Sequence, residues 1–153
     1  MKRIEVKLSL DVVAPLLDVI KDVAQSLGQS LAAPLAMRDL DAEFSAAWVS
    51  DLRAAQAGDL KVLLALFDGE FFSEGVIALD QSNAEPVLRA CAAVRLRLRD
   101  LHLKSFGDET LETSDVNVMQ LPEPERKAFM CYLFLATLQE LIIQHLDPTI
   151  SDA

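Results

Sequence analysis

Two histidines and two cysteines are all that this chain of 153 residues offers toward metal or thiol chemistry. Neither His102 nor His145 has a histidine or glutamate at the i+3 or i+4 spacing that brings ligands onto one ion, and Glu140 and His145 diverge on a helix. No metal site is expected, and both histidines are expected at core edges. Cys91 and Cys131 lie in apolar runs without a CxxC spacing, which marks them as buried free thiols in a reducing compartment. Glycine is scarce: five scattered residues form neither GxGxxG nor a P-loop, so no phosphate cradle is expected. There is no GxSxG elbow and no thiol in an electropositive setting, so no catalytic residue and no cofactor are expected. Basic residues are also few. Fourteen stand against twenty-four acidic ones, and a net charge of −10 opposes nucleic acid or an anionic membrane as a primary partner. The opening MKRIEVKLSLD lacks the apolar core of a signal peptide. The longest unbroken apolar run, Ala128 to Ala136, falls short of the roughly 20 residues of a membrane span. A cytoplasmic location is expected.

What is abundant is apolar surface. Hydrophobic residues make up 52% of the chain, enough for one well-filled core with apolar area left over for a partner. The expectation is one domain over residues 1–153, mainly α, with about five helices around a central C-terminal helix and a small two-stranded β ribbon. Residues 1–10 hold a strand, 105–125 an acidic connector and 148–153 a flexible tail.

The elements follow from periodicity and punctuation. Ile4, Val6, Leu8 and Leu10 alternate with Arg3, Glu5, Lys7 and Ser9, the pattern of a strand with one solvated face. Asp11 is expected to cap a helix to Leu27, with Pro15 in its first turn and Gly28 as a left-handed stop. Its core arc reads Val12, Leu16, Leu17, Ile20, Val23, Ala24 and Leu27; Asp18, Lys21 and Asp22 lie opposite as solvated surface. A loop follows, and Asp39 or Asp41 caps a second helix through Phe44, Trp48 and Leu52 that Gly58 ends. Asp59 then caps a short helix, LKVLLALF. DGEFFSEGVIALD reads as a turn into a second strand that pairs with the first.

VRLRLRDLHL, residues 94–103, alternates like a strand and concentrates arginines. The Ser82-x-x-Glu85 spacing upstream is that of a capping box, and Val87, Cys91, Val94, Leu98 and Leu101 keep helical register through the stretch. One helix over 83–103 is therefore predicted, with Leu96 and Leu103 on its outer face and Arg95 beside its buried arc. The acidic connector is expected to fold back on Arg89, Arg95, Arg97 and Arg99. Pro122 and Pro124 start the last helix, which is apolar almost all round to about Leu146 and so must be enclosed by others.

Three candidate binding features remain. FDGEFF places Phe71 and Phe72 around an acidic turn, as core or as an aromatic docking site. Arg95 needs a carboxylate partner from this chain or another. Leu96 and Leu103 suggest a covered outer face. With the high apolar fraction, these groups favour self-association as a closed homodimer.

Two segments resemble a bacterial family known only as a domain of unknown function. In VIALDQSNAEPVLRACAAVRLRLRDL, Leu79, Asp80, Arg95, Leu96 and Leu98 match its strand–LD–helix pattern ending in RLxL. In YLFLATLQELI, Tyr132, Phe134, Leu135, Leu138, Gln139, Glu140 and Ile142 match its final helix. The chain departs where the family carries Asn-Asp before RLxL and Gly after it; here stand Ala92-Ala93 and Arg99. The resemblance implies a small helical cytoplasmic protein without assigned activity, and a link to Clp-type proteolysis through gene neighbourhood. The expected function is a non-catalytic binding or regulatory protein acting through a protein partner or a second copy. The alternatives are an accessory role in Clp-type proteolysis, or an anionic-ligand binder or enzyme using Arg95 and nearby carboxylates.

Overall fold

Alternation at the start of the chain produces β1 (Arg3–Lys7), which pairs antiparallel with β2 (Val76–Asp80) in the register Arg3↔Asp80 to Lys7↔Val76. In this computed structural model residues 3–28, 31, 42–104, 106–107 and 120–146 are described, the first four of the second helix by backbone alone. Among them the ribbon is accompanied by four long helices and one short one: α1 (Leu10–Leu27), α2 (Ala42–Ala65), α3 (Gly69–Glu74), α4 (Ala84–His102) and α5 (Glu123–Leu146). The class is mainly α with a two-stranded ribbon, as the sequence predicts. Of the expected loop, residues 30 and 32–41 with the caps Asp39 and Asp41 lie outside the described residues, as do the acids of residues 108–119 and the tail from 147 onward.

Helix α1 begins one residue before Asp11, with Ser9 as N-cap, and its phase buries Val13, Leu16, Leu17, Ile20, Val23 and Leu27. This corrects Val12, which is half exposed. It also moves Pro15 into the second turn, where the missing N–H frees the carbonyl of Asp11. Both residues are exposed, so solvent is available to that carbonyl. Gly28 has φ −65°, an ordinary helical value and not the left-handed stop expected.

Gly58 does not end α2. The helix runs through it because Leu52, Gln56, Asp59, Leu60 and Leu63 stay on one face, which packs against α4. A mid-helix glycine costs only about 0.5–1 kcal/mol, less than the burial that this continuity secures. Asp59 consequently caps nothing. The turn expected after Phe67 contains α3, opened by Asp68, whose carboxylate accepts from the N–H of Glu70 and Phe71 at 3.1 and 3.3 Å. Gly75 closes it at φ 71°; a Cβ there would also lie 2.7 Å from the carbonyl of Leu8, so the chain just after β1 passes too close for any other residue.

Helix α4 is uninterrupted, as predicted, but no capping box starts it. Asp80 Oδ1 accepts from Ser82 N, Ser82 Oγ and Asn83 N, while Asn83 Oδ1 accepts from Asp80 N and its amide donates to Ala78 O. These bonds hold the Asp80 carboxyl below its ordinary pKa, the Ser82 hydroxyl contributing most. Ala84, Val87, Ala90, Cys91, Val94 and Leu98 face the core. Leu101 is half exposed and Leu103 is buried, the reverse of expectation. The helix stops at His102, and the turned chain beyond it carries Leu103 inward; helical extrapolation placed it outside.

Helix α5 begins at the expected prolines and buries Ala128, Phe129, Cys131, Tyr132, Leu135, Leu138, Ile142 and Leu146. It is long and apolar enough, by length and composition, to cross a membrane. In this fold those apolar side chains fill the core against α4 and α1.

The continuity of α2 is testable at Gly58, where nothing lies within 4 Å of an added Cβ. Gly58→Ala should raise the unfolding free energy in urea by about 0.5–1 kcal/mol. Destabilisation would mean that the helix breaks there.

Candidate functional site

Three polar arrangements organise the helix packing. At the α4–α5 contact the Arg95 guanidinium lies over the Tyr132 ring, 4.3 Å from its centroid, and donates to Gln139 Oε1 at 2.6 Å. Gln139 in turn donates to the carbonyl of Leu88 at 3.1 Å. One amide thus ties two turns of α4 to α5. Arg95 Nε is buried without a hydrogen-bond partner. Cys91 and Cys131 lie in the same contact, both buried and free. Burial pushes each thiol up to about 12, with the charge of Arg95 opposing the rise at Cys91, so neither is a nucleophile.

At the end of α1, terminal carbonyls, the Ser26 hydroxyl and the carbonyl of Leu31 beyond the helix are met by side chains from two other helices. Gln56 donates to Leu27 O at 2.9 Å, Arg53 to Gly28 O at 2.7 Å, and Arg97 to Ser26 Oγ and Leu31 O at 2.8 and 3.0 Å. α1 has no basic residue in its own last turn, so Arg53 and Arg97 bring the positive charge that the C-terminal end of the helix dipole favours.

Between α2 and α4 lies a groove of about 410 Å³. Leu52 and Ala55 form one wall, and Ala92, Ala93 and Leu96 the other. Arg89 and Asp59 close one end through two bonds of 3.0 Å each, with Glu85 3.7 Å away. The Ala92-Ala93 step, where the sequence departs from the pattern it resembles, lines this groove. Small side chains there leave the space open.

The candidate residues separate accordingly. Leu96 is 45% exposed at the groove and Phe72 is 53% exposed on α3. Phe71 is fully buried, with its ring edge-on to Phe67 at 5.2 Å, and Leu103 is buried too, so neither belongs to an outer face. Arg95 is half-buried and bonds an amide and a ring of its own chain. Arg89 finds acids on α2 and on its own helix, Asp59 and Glu85, while the connector acids of residues 108–119 expected at it lie outside the described residues. Both histidines are exposed, not tucked at core edges. Among the described residues no three His, Cys, Asp or Glu side chains gather as a metal ion requires. Sequence reasoning missed the Gln139 strap and the role of Arg97 at the end of α1, because the bonded residues lie 44 to 71 positions apart and no local pattern links them.

Fold and site together define a mainly helical protein whose best-held polar groups join its own helices. The chain belongs to the family described as Domain of unknown function (DUF2017), whose model matches residues 32–146. No curated protein and no solved structure matches it.

If Arg95 is a strut, Arg95→Ala should lower the unfolding free energy by about 1–3 kcal/mol, through lost ring contact and an unpaired Gln139. Arg95→Met, which keeps the stem and removes the unpartnered Nε, should recover most of that loss. Urea unfolding measures both, and an unchanged Arg95→Ala would contradict the assignment.

Proposed function

We propose that the chain is a non-catalytic binding protein that acts through protein–protein contacts, with the α2–α4 groove as its contact face. The groove itself is the supporting observation. Its walls are almost wholly apolar, it opens at the surface, and Leu96 and Ala92 stand exposed beside it. Two facing walls of small and branched side chains suit the apolar face of a partner's helical segment. The Arg89–Asp59 pair at one end offers polar groups that fix register. Arg95, the residue that a ligand-binding reading would use, bonds to Gln139 and stacks on Tyr132.

A photoreactive side chain at position 96 should give one discrete cross-linked partner in the native cell. The same probe at Lys21, on the exposed face of α1, should not, and Ala93→Trp, which fills the groove, should abolish the product at 96. Identical products from both positions, or survival of the product in the filled groove, would contradict the reading.

A further inference from the structure

Strand β1 is paired on one side only: among the described residues the sheet is two-stranded, β1 with β2. The hydrogen-bonding phase tells which groups face the open side. Leu8 N donates to Gly75 O at 2.6 Å, which makes Leu8 a hydrogen-bonded position of the ladder. In an antiparallel pair such positions alternate, so Ile4 and Val6 also turn their main-chain groups toward β2. Arg3, Glu5 and Lys7 therefore direct their N–H and C=O groups outward along the open edge. Their side chains are exposed on the solvent face, while Ile4 and Val6 are half-buried on the inner face.

An open edge pairs with another strand unless its side chains prevent it. Here the outward row reads plus, minus, plus, and antiparallel pairing with an identical strand has three registers that place at least two pairs of these outward-facing residues opposite one another. Centred on Glu5, it sets glutamate against glutamate and Arg3 against Lys7, which is repulsive. Centred on Ile4, it sets Arg3 opposite Glu5 twice but leaves Val6 without an apolar residue opposite it on the inner face. Centred on Val6, it sets Glu5 opposite Lys7 twice by symmetry, and on the inner face Val6 opposite Val6 and Ile4 opposite Leu8. In this register alone do charges, apolar side chains and main-chain groups all find complements, with Glu5 shared between Lys7 of the second copy and Arg3 of its own strand at 3.6 Å.

We propose that the open edge of β1 is a self-recognition surface, at which two copies of the chain pair antiparallel about Val6 to form a four-stranded sheet. This surface is separate from the α2–α4 groove and does not depend on it. The opposing term is the net charge of −10 on each copy, which salt screens.

Charge reversal tests the register. By light scattering and sedimentation of the full chain at micromolar concentration, the wild type should be a dimer. Glu5→Lys and Lys7→Glu, each placing like charges opposite one another twice, should each weaken it about tenfold or more in Kd. The double exchange, Glu5→Lys with Lys7→Glu, should restore wild-type association, and Leu96→Glu should leave it intact. Circular dichroism checks that these exposed variants stay folded. A monomeric wild type would overturn the proposal. So would a dimer indifferent to both single reversals, and if Leu96→Glu dissociated that dimer, the groove would be the self-contact instead.

Discussion

The contact between α4 and α5 is the constraint on which the remaining structure depends. α4 presents Val87, Cys91, Val94 and Leu98 toward a helix that is itself apolar around most of its circumference, and burial of such side chains contributes on the order of 1.5–3 kcal/mol each. Dispersion and burial carry no direction, so they do not by themselves set how far one helix slides along the other. Arg95 and Gln139 supply that information, the first by lying over Tyr132, the second by reaching back to Leu88. With α4 fixed against α5, its opposite side receives α2, and Arg97 on the same helix holds the end of α1. The ribbon enters the same core through Ile77 and Leu79.

This use of polar groups bears on function. Arginines crowded in one segment of an acidic chain suggest an anion site, yet Arg89, Arg95 and Arg97 each bond to groups of this chain. Both cysteines are buried thiols held in their neutral form. Among the exposed apolar residues are Leu96 at the groove and Phe72 on α3, and β1 adds an edge of outward main-chain groups. The proposed contacts with another polypeptide rest on these features.

Much of the architecture was legible because it follows from short-range periodicity. The ribbon, the length of α1, the unbroken α4 and the proline-initiated α5 each come from a pattern contained within a few turns. The errors arose where tertiary packing overrode local punctuation. Gly58 reads as a stop, but the buried face of α2 continues past it. Ser82 and Glu85 have the spacing of a capping box, but the Asp80 carboxylate takes the N–H and hydroxyl of Ser82 first. Leu103 follows helical phase only if the helix continues, and it does not. The candidate site was legible in part: Leu96 was placed correctly on an outer face, while the groove beside it was invisible because its two walls come from segments about 40 residues apart.

Native-state hydrogen exchange tests the primacy of the α4–α5 contact most directly. The amides of Val94 and Leu98 in α4 and of Leu135 and Leu138 in α5 should exchange only through global unfolding, at one shared free energy, while those of α3 and β1 open at lower cost. Exchange of the α4 amides by local opening, at a free energy below that of the amides in the middle of α1, would contradict the account.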